Sequence, residues 1–336
     1  MKRLGYVPAL DGLRGIAILL VVATHYFGLP GGGPIGVGLF FVLSGFLITT
    51  LLLEEHSISG QIRLRDFYLR RARRLLPGLI ALLIGYSAVV GLSGLRVVAI
   101  AGFYTANIAE AFWNPNPIAH TALAHLWTLA QEEQLYLVWP ALLLVVVRTR
   151  RQTALVAALL VALIGYRMAY VGLDGGISVN RLYGPDLHAD WLLAGVLLAF
   201  VRRRGHSIPD VAATAAFAAL FIGLLLNPWT QMWFVWTCTL FLAASVALVG
   251  AAVSDTQMAM LLSARPLTWL GRISYSLYLW HVPVFAVFSY RHALLALPIA
   301  ILVAWLSYRF VEQPFRRRRV SRSSTPQTTA VASAAR

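Results

Sequence analysis

The chain has 336 residues, of which 59% are hydrophobic and only 12% are charged. Soluble domains carry about twice that share of charged residues, so the composition excludes an ordinary soluble protein and indicates an integral membrane protein. The formal net charge of +15 comes almost wholly from arginine, since Lys2 is the only lysine. The arginines stand in short clusters between apolar runs, as topology signals do, which argues against a nucleic-acid-binding surface.

Apolar runs long enough to cross a bilayer as helices recur along the chain. They predict an all-α polytopic membrane protein with about ten transmembrane helices. The predicted spans lie near residues 10–28, 36–53, 75–92, 126–147, 154–171, 187–201, 211–226, 232–252, 273–290 and 293–311. The segment 96–124 is ambiguous between a short span, a re-entrant piece and an outer interfacial helix, and we favour the last of these.

The basic residues predict the orientation of the spans. With the N-terminus in the cytoplasm, only Arg96, Arg181 and Arg291 fall in outer loops. Because arginine and lysine are enriched in cytoplasmic loops, we expect both termini to be cytoplasmic. Residues 1–319 then form one membrane domain with a retained first span, and the Ser-, Thr- and Ala-rich stretch 320–336 is expected to be a disordered cytoplasmic tail.

The first span carries two ionisable side chains within LDGLRGIAILLVVATHYFG. Arg14 and His25 are eleven residues apart, which is about three helical turns, so they share one face and are separated along the axis by about 16 Å. Arg14 could extend to the lipid headgroups and His25 could bond a neighbouring helix. Ionisable groups within a membrane are nonetheless functional by default, and two on one face favour a functional site.

Two further motifs carry charge. Arg70, Arg71, Arg73 and Arg74 in FYLRRARRLLP form a compact cytoplasmic group that could bind phosphates bidentately. From the charge alone, a topology anchor touching anionic lipids is the favoured explanation.

The run HLWTLAQEEQLYLVWP places Glu132 and Glu133 about two turns into the fourth span. One of them is predicted to lie near the depth of His25, where a carboxylate would fix the imidazole tautomer. The alternative is an ion pair with Arg14 or Arg167.

Weaker signals come from the outer ends of later spans. Asp186, His188 and Asp190 enter the sixth span and could contact a hydroxylated acceptor, but spacings of two do not share a helix face, so we expect no metal site. His281 in SYSLYLWHVP is interpreted as a helix-packing residue. The small residues of GVGLFFVLSG, 36–45, predict close helix approach.

Taken in order, these motifs resemble the acyltransferase-3 superfamily of integral membrane O-acyltransferases. The resemblance runs from Leu10 to about Arg317. It includes the arginine and histidine of the first span and further motifs in the expected order, namely FFVLSGFLI, the arginine motif, WTLAQEEQLYLVWP, ISYSLYLWHVP and EQPF. The chain departs from that pattern at His188, where such proteins often have arginine.

The resemblance implies an acyl-CoA donor, such as acetyl-CoA, on the cytoplasmic side of a bacterial inner membrane. The acceptor would be a hydroxyl of an envelope glycan or a secreted glycoside. Arg14, Arg70, Arg71 and Arg74 would bind the donor, and His25 would be the general base.

Glu132 or Glu133 would orient that base. A direct transfer and an acyl-histidine intermediate both stay open. A transporter or flippase of a glycosylated or acylated small molecule is the main alternative function; it predicts internal repeats, and none is evident in the sequence.

Overall fold

The computed structural model describes residues 4–173, 179–224, 236–288 and 292–317. In these ranges the chain is mostly helical and contains no strand. Fourteen α-helices follow one another: α1 Pro8–Phe27, α2 Gly32–Ser59, α3 Leu64–Val90, α4 Leu95–Gly102, α5 Ala106–Phe112, α6 Trp127–Val146, α7 Gln152–Leu173, α8 Ala189–Arg203, α9 Asp210–Gly223, α10 Cys238–Ala252, α11 Gln257–Leu262, α12 Arg265–Phe288, α13 Ala293–Leu306 and α14 Gln313–Arg317. A π-helix, Ser307–Glu312, joins α13 to α14.

Each predicted span overlaps one of these helices, which confirms an all-helical membrane protein. Five helical stretches are long and apolar enough to cross a membrane by length and composition, namely 8–27, 32–59, 64–102, 152–171 and 293–316, and α9 and α10 are shorter apolar helices. The number of ten spans and the orientation of both termini stay predictions. The predicted tail 320–336 lies outside the described residues. The segment 96–124 contains α4, α5 and a 3₁₀ turn at Ala124–Leu126.

Local sequence sets the ends of the first two helices. Pro8 stands in the first turn of α1, where its missing N–H is not needed. Gly28 and Gly60 follow α1 and α2 with φ of 69° each, a left-handed conformation that glycine adopts readily. The tight end at Gly28 lets α2 return alongside α1, and the one at Gly60 ends α2 before α3.

Glycines allow α1 to pack closely against α11 and α12. A Cβ atom on Gly12 would overlap the carbonyl of Leu262, and one on Gly271 would overlap the carbonyl of Asp11. Because small residues let helix backbones approach in a membrane protein, α1 is held firmly along its inner half.

We call the end of the bundle that contains the N-terminus of α1 the inner end, following the predicted orientation.

The same kind of contact joins α2 to α1 and α8. Gly36 faces the carbonyl of Ala17, and Gly45 faces the carbonyl of Leu192. In return, Gly195 of α8 lies against the carbonyl of Val42. The close approach predicted for residues 36–45 is therefore confirmed.

The predicted orientation can be tested at two exposed loop positions, Gln61 before α3 and Ser93 after it. We expect Ser93→Cys to react with a membrane-impermeant maleimide in intact cells and Gln61→Cys to react only after permeabilisation, because the basic loops are cytoplasmic. Cys238, the native cysteine, is buried and gives little background. The reverse labelling pattern would contradict the orientation.

Candidate active site

His25 lies in the last turn of α1, and its ring is held by its own helix. The Nδ1–H donates a hydrogen bond to the carbonyl of Val21 at 2.9 Å. This bond places the proton on Nδ1, so Nε2 keeps its lone pair. A half-buried imidazole with this tautomer can accept a proton from a bound hydroxyl.

A cavity of about 180 Å³ opens beside His25. Its wall includes two further imidazoles, those of His125 and His188, together with the indole rings of Trp127 and Trp191. Within the described part of the chain, the Trp191 Nε1–H, the His188 Nδ1 and both ring nitrogens of His125 are buried without a hydrogen-bond partner. Buried polar atoms are normally hydrogen-bonded, so this cavity is suited to a polar ligand.

Three histidines meet beside this cavity, and two of them, His25 and His125, line it. The ring of His281, from α12, lies 5.0 Å from the ring of His25 and 5.0 Å from that of His125, measured between centroids. Tyr278 packs against His125 at 5.3 Å. We call His25, His125 and His281 the histidine cluster. Among the described residues, no group of three His, Cys, Asp or Glu side chains is arranged to hold a metal ion.

A group of arginines occupies the inner end of the bundle. The charges of Arg14 from α1 and Arg316 from α14 both act on Arg74 of α3. The Nε of Arg14 donates to Ser274 Oγ at 3.4 Å. In the ranges that the structure describes, no carboxylate lies within ion-pair distance of these three guanidinium groups, which we call the arginine cluster.

The other two predicted donor-binding arginines have carboxylate partners. Arg71 forms a forked ion pair with Glu133, at 2.5 Å for its shortest contact, and its guanidinium lies 3.1 Å from the centroid of the Tyr136 ring. Arg70 is exposed and pairs with Glu55 at 3.2 Å. The structure therefore brings Arg14 and Arg74 together and leaves Arg70 at the periphery.

The two predicted carboxylates do not reach His25, which corrects the expected contact. Glu133 pairs with Arg71, and the Glu132 carboxyl lies near Ser44 and interacts with the charges of Arg71 and Arg14. The contact is not made because His25 and the two carboxylates lie at different depths in the bundle. His25 lies two residues from the end of α1, whereas Glu132 lies about one and a half turns inside α6.

The acidic residues near the sixth predicted span also have arginine partners. Asp186 forms a forked pair with Arg181, and Asp190 pairs with Arg167 at 2.8 Å, both side chains being 1% exposed. Only His188 of this predicted group faces the cavity.

The sequence pattern did not single out His125, Tyr278 or Arg316. His125 precedes α6 in a 3₁₀ turn, so no helical periodicity links it to His25. A signal did exist for α12, because Tyr278 and His281 are three residues apart and share a helix face.

The chain belongs to the acyltransferase family: the model of its acyltransferase domain matches residues 7–311. This confirms the resemblance found in the sequence. A putative peptidoglycan O-acetyltransferase of Bacillus subtilis, YrhL, is 35% identical over 93% of this chain and 55% of its own length. The peptidoglycan O-acetyltransferase OatA of Listeria monocytogenes is 32% identical over 93% of this chain and 56% of its own.

A putative O-acetyltransferase of Staphylococcus aureus is 32% identical over 94% of this chain and 58% of the relative's own length. The chain thus spans little more than half the length of these relatives. No solved structure is significantly similar to it.

The buried pair between Arg167 and Asp190 yields a stability prediction. Asp190→Leu leaves the Arg167 charge without its carboxylate, so we expect the free energy of unfolding to fall by about 3–5 kcal/mol. In the double variant with Arg167→Met most of that loss should disappear. Denaturant unfolding in detergent measures the free energy of unfolding of the single and the double variant. An equal decrease in the two variants would contradict this account.

Proposed function

We propose that the protein is an O-acyltransferase of the bacterial inner membrane, which moves an acetyl or another short acyl group from acyl-CoA to a hydroxyl of an envelope glycan or secreted glycoside. The family assignment supports the reaction class. The names of the relatives support acetyl as the group and peptidoglycan as one example of the acceptor.

One observation carries the proposal: a single helix face joins a site for anions to a site for a base. Arg14 belongs to the arginine cluster, and His25 lines the cavity. The two are separated by about 16 Å along α1. A donor with a charged nucleotide and a long, flexible acyl-bearing arm fits this separation, because only the arm has to enter the bundle.

The inner end is chemically suited to the nucleotide phosphates. Guanidinium groups bind phosphate oxygens bidentately, and Arg14, Arg74 and Arg316 converge there without a carboxylate in ion-pair contact in the described part of the chain. Arg71, which is fixed by Glu133, would support Arg74 one turn away on α3. Arg70 would contribute only long-range attraction, since it is exposed and already paired.

At the cavity, His25 would take the proton of the acceptor hydroxyl on Nε2 as the hydroxyl oxygen attacks the thioester carbonyl. The Val21 carbonyl would perform the orienting role first expected of Glu132 or Glu133, since it accepts the Nδ1–H bond. The two carboxylates would instead act on the donor side, where Glu133 holds Arg71 and the charge of Glu132 acts on Arg71 and Arg14.

Donor binding can be tested with two neighbouring arginines of α3. Arg74→Gln should raise the KM for acyl-CoA by about 10- to 100-fold, because it removes hydrogen bonds to charged phosphates. Arg73→Gln is the matched control: the same charge is lost from an exposed side chain, and the donor KM should stay within about threefold. Equal effects of the two substitutions would indicate a topology anchor and count against a phosphate site.

The base is tested by acyl transfer with purified protein in detergent, where no membrane separates two compartments. His25→Ala should lower kcat by about 10²–10⁴-fold and leave acyl-CoA binding unchanged; His25→Gln should behave alike, since glutamine cannot take the proton. Full activity of His25→Ala would remove His25 from the chemistry.

The same preparation separates the competing functions. A flippase would show no transfer in detergent. An acyl-histidine found by mass spectrometry in the absence of acceptor would replace direct transfer with a two-step reaction.

A further inference from the structure

His125 is a buried imidazole that the proposed mechanism has not used. It is 6% exposed and lines the same cavity as His25. The carbonyls of Tyr278, Leu279 and Ala122 lie near its ring, yet neither ring nitrogen makes a hydrogen bond of acceptable geometry within the described residues. An unsatisfied buried polar group is destabilising, so such a ring is expected to have a partner when the cavity is filled.

The backbone of His125 is fixed although its ring is unbonded. The Tyr278 hydroxyl donates to the carbonyl of His125 and lies 2.6 Å from Thr128 Oγ1. The ring itself is packed between Tyr278 and His281. A hydrogen-bond donor that is fixed in place and makes no hydrogen bond to the protein is preorganised for a ligand.

The other members of the histidine cluster are less suited to this role. His25 already donates through Nδ1 and needs Nε2 as the base. His281 is fully buried, does not belong to the cavity wall, and bonds the carbonyl of Tyr278 through Nδ1 at 2.7 Å. His125 therefore combines access to the cavity with a free N–H.

We propose that His125 is a second catalytic histidine, whose ring N–H donates a hydrogen bond to the oxyanion that forms on the thioester carbonyl. The inference rests on the proposed function. The acceptor oxygen bonds to the carbonyl carbon as its proton moves to His25, and the carbonyl electron pair moves to the oxygen that faces His125. When the intermediate collapses, the C–S bond breaks, and the thiolate takes the proton from His25. His125 stays neutral throughout.

The test compares His125→Ala and His125→Gln with wild type in the detergent assay, at varied pH. An oxyanion donor acts on the transition state, so His125→Ala should lose about 10²–10³-fold in kcat, with the KM of each substrate within about threefold. His125→Gln should regain part of that loss, because its side-chain amide can donate a hydrogen bond. Exposed His292 provides the matched control: His292→Gln should keep wild-type activity.

The pH profile separates a donor from a base. In His125→Gln the loss of rate at acidic pH, which His25 causes, should remain as in wild type; a variant without that loss would make His125 the base and overturn the inference. A kcat decrease of less than about threefold in His125→Ala would overturn it too.

If His125→Ala fails to fold, as judged by its unfolding temperature and acyl-CoA binding, the kcat and pH profile of His125→Gln alone test the inference. Wild type without transfer from any acyl-CoA would refute the proposed function and this inference with it, whereas active wild type beside equally active variants refutes only this inference.

Discussion

A charge inside a bilayer needs a counter-charge, a path to water or a ligand, and this constraint sorts the ionisable side chains of the protein. Arg71, Arg167 and Arg181 each have a carboxylate partner, and Glu133 and Asp190 belong to these pairs. The arginine cluster differs, because in the described ranges no carboxylate lies within ion-pair distance of its three members, and the charges of Glu132 and Glu312 act on them only from further away. Repulsion among them makes a bound anion stabilising, which is why the inner end is the place to expect the donor.

The packing of α1 explains why one helix can serve both ends. Gly12 and Gly36 allow the backbones of α11 and α2 to approach α1, and Gly271 does so from α12. Held on these sides, α1 has little freedom to turn, so Arg14 and His25 keep their common face. The outer end of α12 is tied to α1 as well, because the Tyr26 hydroxyl donates to the His281 carbonyl at 2.8 Å. Two members of the histidine cluster, His25 and His281, thereby come from the same two helices that position Arg14.

The helices and the shared face of Arg14 and His25 could be predicted from the sequence, because apolar run length and the 3.6-residue period are local properties. The pairing of Glu133 with Arg71 could not be predicted, since it depends on how far α6 is inserted relative to α3. The length of an apolar run predicts the depth of its helix in the membrane only to within about one helical turn or more.

His125 and Arg316 escaped the sequence pattern for related reasons. His125 stands in a 3₁₀ turn before its helix. Arg316 follows a π-helix, which changes the register of the last helical segment.

The dimensions of the site also bear on the acyl group. In the proposed reaction, the cavity of about 180 Å³ would hold the reacting hydroxyl, part of the acceptor and the acyl chain at once. Buried apolar residues such as Val21 and Leu182 form part of its wall. Protein interiors are close-packed, so a long chain would have to displace helices that glycine contacts hold together. A short acyl group needs no such movement. In the proposed reaction, selectivity for the donor would therefore arise at both ends of α1, from charge at the arginine cluster and from volume at His25.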